Sequence, residues 1–217
     1  MLNVEHFETY GWESAIRGVR NPMNSWSKSD SKFNTECFIG PNDLDLMMRL
    51  RRGGSDDRKY LRQIFVSCDI IAPLYWWKEM DQYKVSTTTN SCSTMHKIAS
   101  KEFSLNDFSH EHLTEQSRLI LENIIIEHLN ECQQAYINVK KEFGMSDDDF
   151  AECKKNIWWQ IIQILPSSYN QKRTWTANYE VLVNIYHARK NHKLDEWQIF
   201  CKEIEKLPYA EELIIGE

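Results

Sequence analysis

Two stretches of the chain carry residue types that could do chemistry. From Trp175 to Arg189 the sequence reads WTANYEVLVNIYHAR, with two asparagines and an arginine set among apolar residues. Asn184 lies six residues after Asn178, and Arg189 five after Asn184. On a 3.6-residue helix those steps turn through about 600° and 500°, so the three do not share one narrow stripe. They are spaced to meet different parts of one extended ligand. Asparagine is mildly unfavourable inside a helix, which favours a task for Asn184 over chance, although a surface or capping role is the ordinary alternative. The second stretch, Ala72 to His96, runs from an Ala-Pro step through Trp76-Trp77 into VSTTTNSCSTMH, a segment dense in hydroxyl donors.

Other chemical signals are absent. No GxGxxG, GxxxxGK[ST], HExxH or GxSxG occurs, so the common dinucleotide, P-loop, zinc-protease and hydrolase motifs are missing. His110 and His112 flank Glu111 without a third ligand at metal spacing and read as a solvated helix start. No metal ligands are assigned. Cys92 has no neighbouring base in sequence and reads as an incidental thiol.

The elements that must position these residues follow from periodicity and punctuation. Asn21–Asn34 is rich in Asn and Ser and reads as an exposed loop. Pro41–Arg52 reads as a short amphipathic helix closed by Gly53-Gly54. Ile64–Ile71 is a strand candidate. Ala72-Pro73 starts a helix through LYWWKEMDQYK, and the hydroxyl-rich run after it is a loop, since Ser, Thr and Asn compete for backbone hydrogen bonds. His112–Phe143 carries helical apolar spacing and predicts the longest helix. Ser146 caps the next, Phe150–Ile164. A polar turn, SSYNQKR, leads to a helix from Thr176 to Lys190, and a last amphipathic helix covers Leu194–Leu207. Strands early and helices late predict α+β rather than a doubly wound sheet.

Composition sets the class. The 217 residues are 41% hydrophobic and 27% charged, an ordinary mix for burying a core in one domain. A net charge of −6 gives no basic field for duplex nucleic acid. Six scattered cysteines without CxxC, and an N-terminus lacking basic and apolar signal regions, predict reduced thiols and a cytoplasmic location. No apolar run approaches the ~20 residues of a membrane helix. The doublets Trp76-Trp77 and Trp158-Trp159 read mainly as core and subunit contact, with a wall for a planar ligand as the alternative.

Together the two stretches resemble the flavin-dependent thymidylate synthases. That family's C-terminal pattern W-T-x-N-x-x-x-L-x-N-x-x-x-x-R is matched by Trp175, Thr176, Asn178, Leu182, Asn184 and Arg189, with Leu165-Pro166 before it. The central motif R-H-R-x-x-S-x-N-E-x-S-x-R is degenerate. Gln82-Tyr83-Lys84 stands for Arg-His-Arg, Thr87 for the serine and, after one insertion, Asn90 for the asparagine. Ser91 replaces the glutamate, Ser93 matches the serine and Met95 replaces the last arginine.

The resemblance implies an α+β fold like that of the thymidylate synthase-complementing proteins, a mixed sheet packed with long helices in a single domain over 1–217. It implies a homotetramer that binds FAD and methylates dUMP to dTMP, with methylenetetrahydrofolate and NADPH as co-substrates. It makes Arg189 catalytic, stabilising charge on the uracil ring. It assigns Tyr83, Lys84, Asn178 and Asn184 to the cofactor, and Glu79, Gln82, Ser91, Ser93 and Arg189 to the substrate. The family's phosphate-side arginines at the Gln82 and Met95 positions and near Ile162 are missing, with Lys84, Lys78, Arg62 and Arg58 as the available substitutes. A homologue that binds flavin or nucleotide without catalysis, or an enzyme for another pyrimidine nucleotide, are the alternatives.

Overall fold

The structure, a computed structural model, describes residues 2–33, 37–93, 95, 98 and 100–216. Asn34 and His96, the last residues of two of the predicted loops, lie outside them. Helices combine with a four-stranded antiparallel sheet in the predicted α+β class. The strands are β1 (Asn3–Tyr10), β2 (Phe65–Pro73), β3 (Thr88–Ser91) and β4 (Asn170–Asn178), in the order β1-β2-β4-β3. Two compact units can be described.

One unit comprises residues 2–70, 80–90 and 173–216. Its helices are α1 (Trp12–Arg20), α2 (Pro41–Arg52), α7 (Tyr179–Arg189) and α8 (Asp195–Ile204), where α3 to α6 belong to the other unit. Helix α1 buries Trp12, Ala15, Ile16 and Val19, one stripe at helical spacing. It starts at Gly11, whose φ of 85° and approach to the Gln63 carbonyl, 2.1 Å from where a Cβ would stand, admit only glycine. Strand β2 alternates, burying Val66, Cys68 and Ile70 and turning Phe65, Ser67 and Asp69 to the other face.

The loop after α1 is not simply exposed polar chain. It wraps the fully buried carboxylate of Asp43 in α2. Asp43 Oδ1 accepts from Arg20 at 2.8 Å, and Oδ2 accepts from the hydroxyls of Ser29 (2.7 Å) and Ser31 (2.6 Å) and the backbone N–H groups of Asp30 and Ser31. Burial alone would raise the Asp43 pKa, but the hydroxyls of Ser31 and Ser29 and the Arg20 guanidinium outweigh it and hold it below its ordinary value.

The other unit comprises residues 71–79 and 91–172. It holds α3 (Leu74–Met80, except Met80), α4 (Glu115–Ile120), α5 (Glu127–Asn138) and α6 (Asp147–Ile164). Its core gathers Phe103, Phe108, Leu121, Ile126, Leu129 and Ile161. The predicted long helix forms over residues 115–138, as α4 and α5 joined by a π-helical turn, Leu121–Ile126, and stops short of Phe143. Leu121 and Ile126 are both buried but five residues apart, which an α-helix would turn to different sides. An i→i+5 turn keeps them on one face. Ser146 caps α6 as its sequence predicts, accepting from Asp149 N. Trp76 and Trp77 are both core residues, edge to face at 4.9 Å, and Trp77 Nε1 donates to the Gln171 carbonyl.

Three expectations are corrected. Pro73 ends β2 and does not open the next helix, which begins at Leu74. The hydroxyl-rich loop contains β3. Of the predicted polar turn before Thr176, Ser167 and Ser168 do turn, but residues 170–173 are the first half of β4, which lies between β2 and β3, and the following helix starts only at Tyr179. Alternation is present in β4, with Gln171, Trp175 and Ala177 buried, but the inward Gln171 disguised it. That amide is satisfied by donating to the Cys92 carbonyl at 2.7 Å. Among the described residues no helix is long and apolar enough to cross a membrane. All six cysteines are unpaired with one another.

Candidate functional site

Helix α7 places the C-terminal pattern. Five of the six residues 181–186 are buried, and Asn184 is the exposed exception. Its amide faces outward from an otherwise buried helix. Asn178 is the N-cap. Its Oδ1 accepts from Val181 N at 3.1 Å, and the residue is 3% exposed. Replacing it by alanine should cost about 0.5–2 kcal/mol in a denaturant titration. Asn178→Asp should keep the cap while removing the amide N–H groups, so a ligand role would appear as lost binding at nearly unchanged stability.

Arg189 ends α7, where the helix dipole favours a cation. Its Nε donates to the Tyr83 hydroxyl at 2.9 Å across 106 positions of sequence. Its guanidinium carbon stands 4.7 Å from the Trp197 ring centre and 5.7 Å from that of Tyr83, with the two rings 6.0 Å apart at 65°. Two aromatic faces and the Tyr83 hydroxyl therefore hold the cation in place. Trp197 was visible in sequence only as part of a following helix. Its signal was an aromatic eight residues beyond the arginine, across a helix–turn–helix.

Tyr83 also lines a cleft of about 210 Å³ with Met80, Asp81, Lys84, Thr87, Thr89 and Trp175. Its backbone is pinned by Tyr83 N donating to the Met80 carbonyl and by the Thr87 hydroxyl donating to its own carbonyl. Because the phenol oxygen accepts from Arg189, its O–H remains to donate, and no acceptor for it occurs among the described residues. The Lys84 ammonium likewise has no ion-pair partner among them, whereas Asp81 is paired with Arg173 at 2.9 Å. A hydroxyl and an ammonium at a half-open cleft suit carbonyl oxygens or an anion.

The remaining assignments divide. Gln82 is exposed in the turn beside Tyr83. Glu79 in α3, Ser91 at the end of β3 and Ser93 belong to the other unit, with Glu79 and Ser93 half-buried and Ser91 exposed. Ser93 lines a cavity there with Ile71, Cys92, Lys101 and Tyr169. Two substitutes for the missing arginines are already engaged. Arg58 and Arg62 both pair with Glu180 in the first turn of α7, and these partners, Arg62 foremost, hold the Glu180 carboxyl below its ordinary pKa.

No protein-family model and no curated protein matches the chain. Solved structures do. Thymidylate synthase X from Helicobacter pylori, solved with FAD and dUMP, superposes with a TM-score of 0.66 at 16% identity, over 100% of this chain and 98% of that one. A second structure of the Helicobacter pylori enzyme with FAD and dUMP gives 0.65 at 16% identity, over 99% and 98%. At that identity the likeness establishes the fold.

Proposed function

We propose that the chain is a flavin-dependent thymidylate synthase, methylating dUMP to dTMP with methylenetetrahydrofolate and NADPH as co-substrates. The observation that carries this reading is the meeting of Arg189, matched in the C-terminal pattern, with Tyr83, which stands at the histidine position of the degenerate central motif, within a fold shared with enzymes solved with FAD and dUMP. Arg189 is the residue that stabilises negative charge developing on the pyrimidine ring. Tyr83 positions it and offers a donor to a ring carbonyl, and Lys84 supplies charge toward phosphate. Asn184, outward on a buried helix, fits a flavin carbonyl edge. Asn178 fits less well, since its oxygen is spent on the cap. FAD, if bound and reduced there, would supply the hydride that completes the methyl group.

A cleft of about 210 Å³ is below the ~300–1,000 Å³ of sites that enclose a ligand of drug size. The reading therefore carries with it a homotetramer in which further copies complete each site, a single catalytic domain over the whole chain and a cytoplasmic location. The purified protein should take up FAD with the flavin absorbance bands, and should release deuterium from C5-labelled dUMP when given NADPH and methylenetetrahydrofolate. A protein that stays colourless after reconstitution would sink the proposal.

The second reading is a homologue that binds without catalysing. The engagement of Arg58 and Arg62 by Glu180, and of Arg173 by Asp81, favours it. A charge-assisted hydrogen bond to phosphate contributes roughly 1.5–3 kcal/mol, and Lys84 alone does not replace several. Flavin uptake without deuterium release would select this reading.

A further inference from the structure

Adjacent residues on a strand point to opposite faces, yet Glu5 and His6 of β1 both present a ligand atom to Asp69 of β2. One oxygen of each carboxylate and a ring nitrogen of His6 lie within 4.8 Å of one another. The backbone explains how. His6 has φ 53°, so the strand takes a left-handed step and the alternation of β1 is reset. Phe7 then packs on Phe200, its ring centre 6.3 Å away, while Glu5 and His6 share the face of Asp69. Positive φ is costly for a residue with a bulky side chain, and such steps in strands re-aim side chains.

Both carboxylates are oriented from behind. Asn3 Nδ2 donates to Glu5 Oε1 at 2.9 Å, and Thr174 Oγ1 of β4 donates to Asp69 Oδ1 at 2.6 Å. Hydrogen bonds of this kind set the direction of carboxylate ligands in metal sites. The His6 ring takes part in no hydrogen bond or ion pair among the described residues, although two carboxylates stand beside it. The three groups stand close enough for small side-chain rotations to bring their ligand atoms onto one ion.

We propose that Glu5, His6 and Asp69 form a site for a divalent transition ion of the zinc class. One imidazole and two carboxylates are a borderline donor set that suits Zn²⁺, with ligand distances near 2.0–2.2 Å. Three protein ligands leave a coordination position to water. The site lies on the sheet face opposite Cys68 and Ile70, and its ion ties β1 to β2.

Isothermal titration of the untagged full chain with Zn²⁺ tests it, read beside the thermal melting midpoint. The wild type should bind one ion through this site and melt higher with Zn²⁺ present. His6→Gly is the decisive variant, because glycine takes the positive φ without penalty. It should melt at or above the wild-type midpoint without metal, and should lose that ion and its Zn²⁺-dependent rise. Thr174→Val, which removes only the orienting hydroxyl, should weaken binding about 10–100-fold. Binding no tighter than roughly 1 mM in the wild type, or unchanged binding in His6→Gly, would overturn the assignment.

Discussion

Arg189→Ala should lower dUMP turnover by roughly 10²–10³-fold, the usual loss when one preorganised electrostatic donor is removed, while FAD uptake stays intact. The expectation rests on the proposed function and on the geometry of the cage. The guanidinium is held by the Tyr83 hydroxyl and the rings of Tyr83 and Trp197 before any ligand arrives, so no reorganisation is needed at reaction. Tyr83→Phe keeps the ring and removes the hydrogen bond. A charge-assisted bond contributes roughly 1.5–3 kcal/mol, so its loss should cost about 10- to 100-fold in kcat, each 1.36 kcal/mol being tenfold. Steady-state rates of deuterium release on both variants, with circular dichroism to confirm folding, check the order. An Arg189→Ala enzyme with wild-type kcat would remove the residue from the chemistry, whatever became of KM.

Asp43→Asn should destabilise the fold by about 3–5 kcal/mol, since it leaves the buried Arg20 guanidinium without its counter-charge. That is a large share of the ~5–15 kcal/mol that stabilises a typical domain. Replacing both partners by apolar residues often rescues a buried ion pair, but should not do so here. Asp43 Oδ2 is also the acceptor for Asp30 N, Ser31 N and two serine hydroxyls, all of which would lose their partner. The pH dependence has a definite sign. The Asp43 pKa is depressed in the folded state, so its contribution is fully present above the ordinary value of 3.8 and fades as pH falls below it. Urea midpoints of wild type and Asp43→Asn should therefore differ at neutral pH and converge in acid. Equal midpoints at neutral pH would refute the role assigned to Asp43.

Much of this was legible before any coordinates. Helical spacing marked α2, α6 and α8, with a Pro at the start of α2 and a Ser cap on α6, because an amphipathic stripe and its cap are local properties of the chain. The Trp175–Arg189 pattern carried the fold assignment at 16% identity, where overall similarity does not. The elements that escaped are those whose stability is not local. Strand β4 looks polar because it is zipped between two neighbours and its inward Gln171 is satisfied by a carbonyl on a distant segment. The Asn- and Ser-rich loop reads from sequence only as exposed, and what it wraps is hidden because its organiser, Asp43, lies in the following helix. Types and order of the chemical residues were thus a matter of sequence alone. Which of them are in use was decided by tertiary structure: Asn178 caps, Arg58 and Arg62 serve Glu180, and Arg189 meets Tyr83. A charge or amide chooses its partner by distance in space, and that distance exists only once the core has closed.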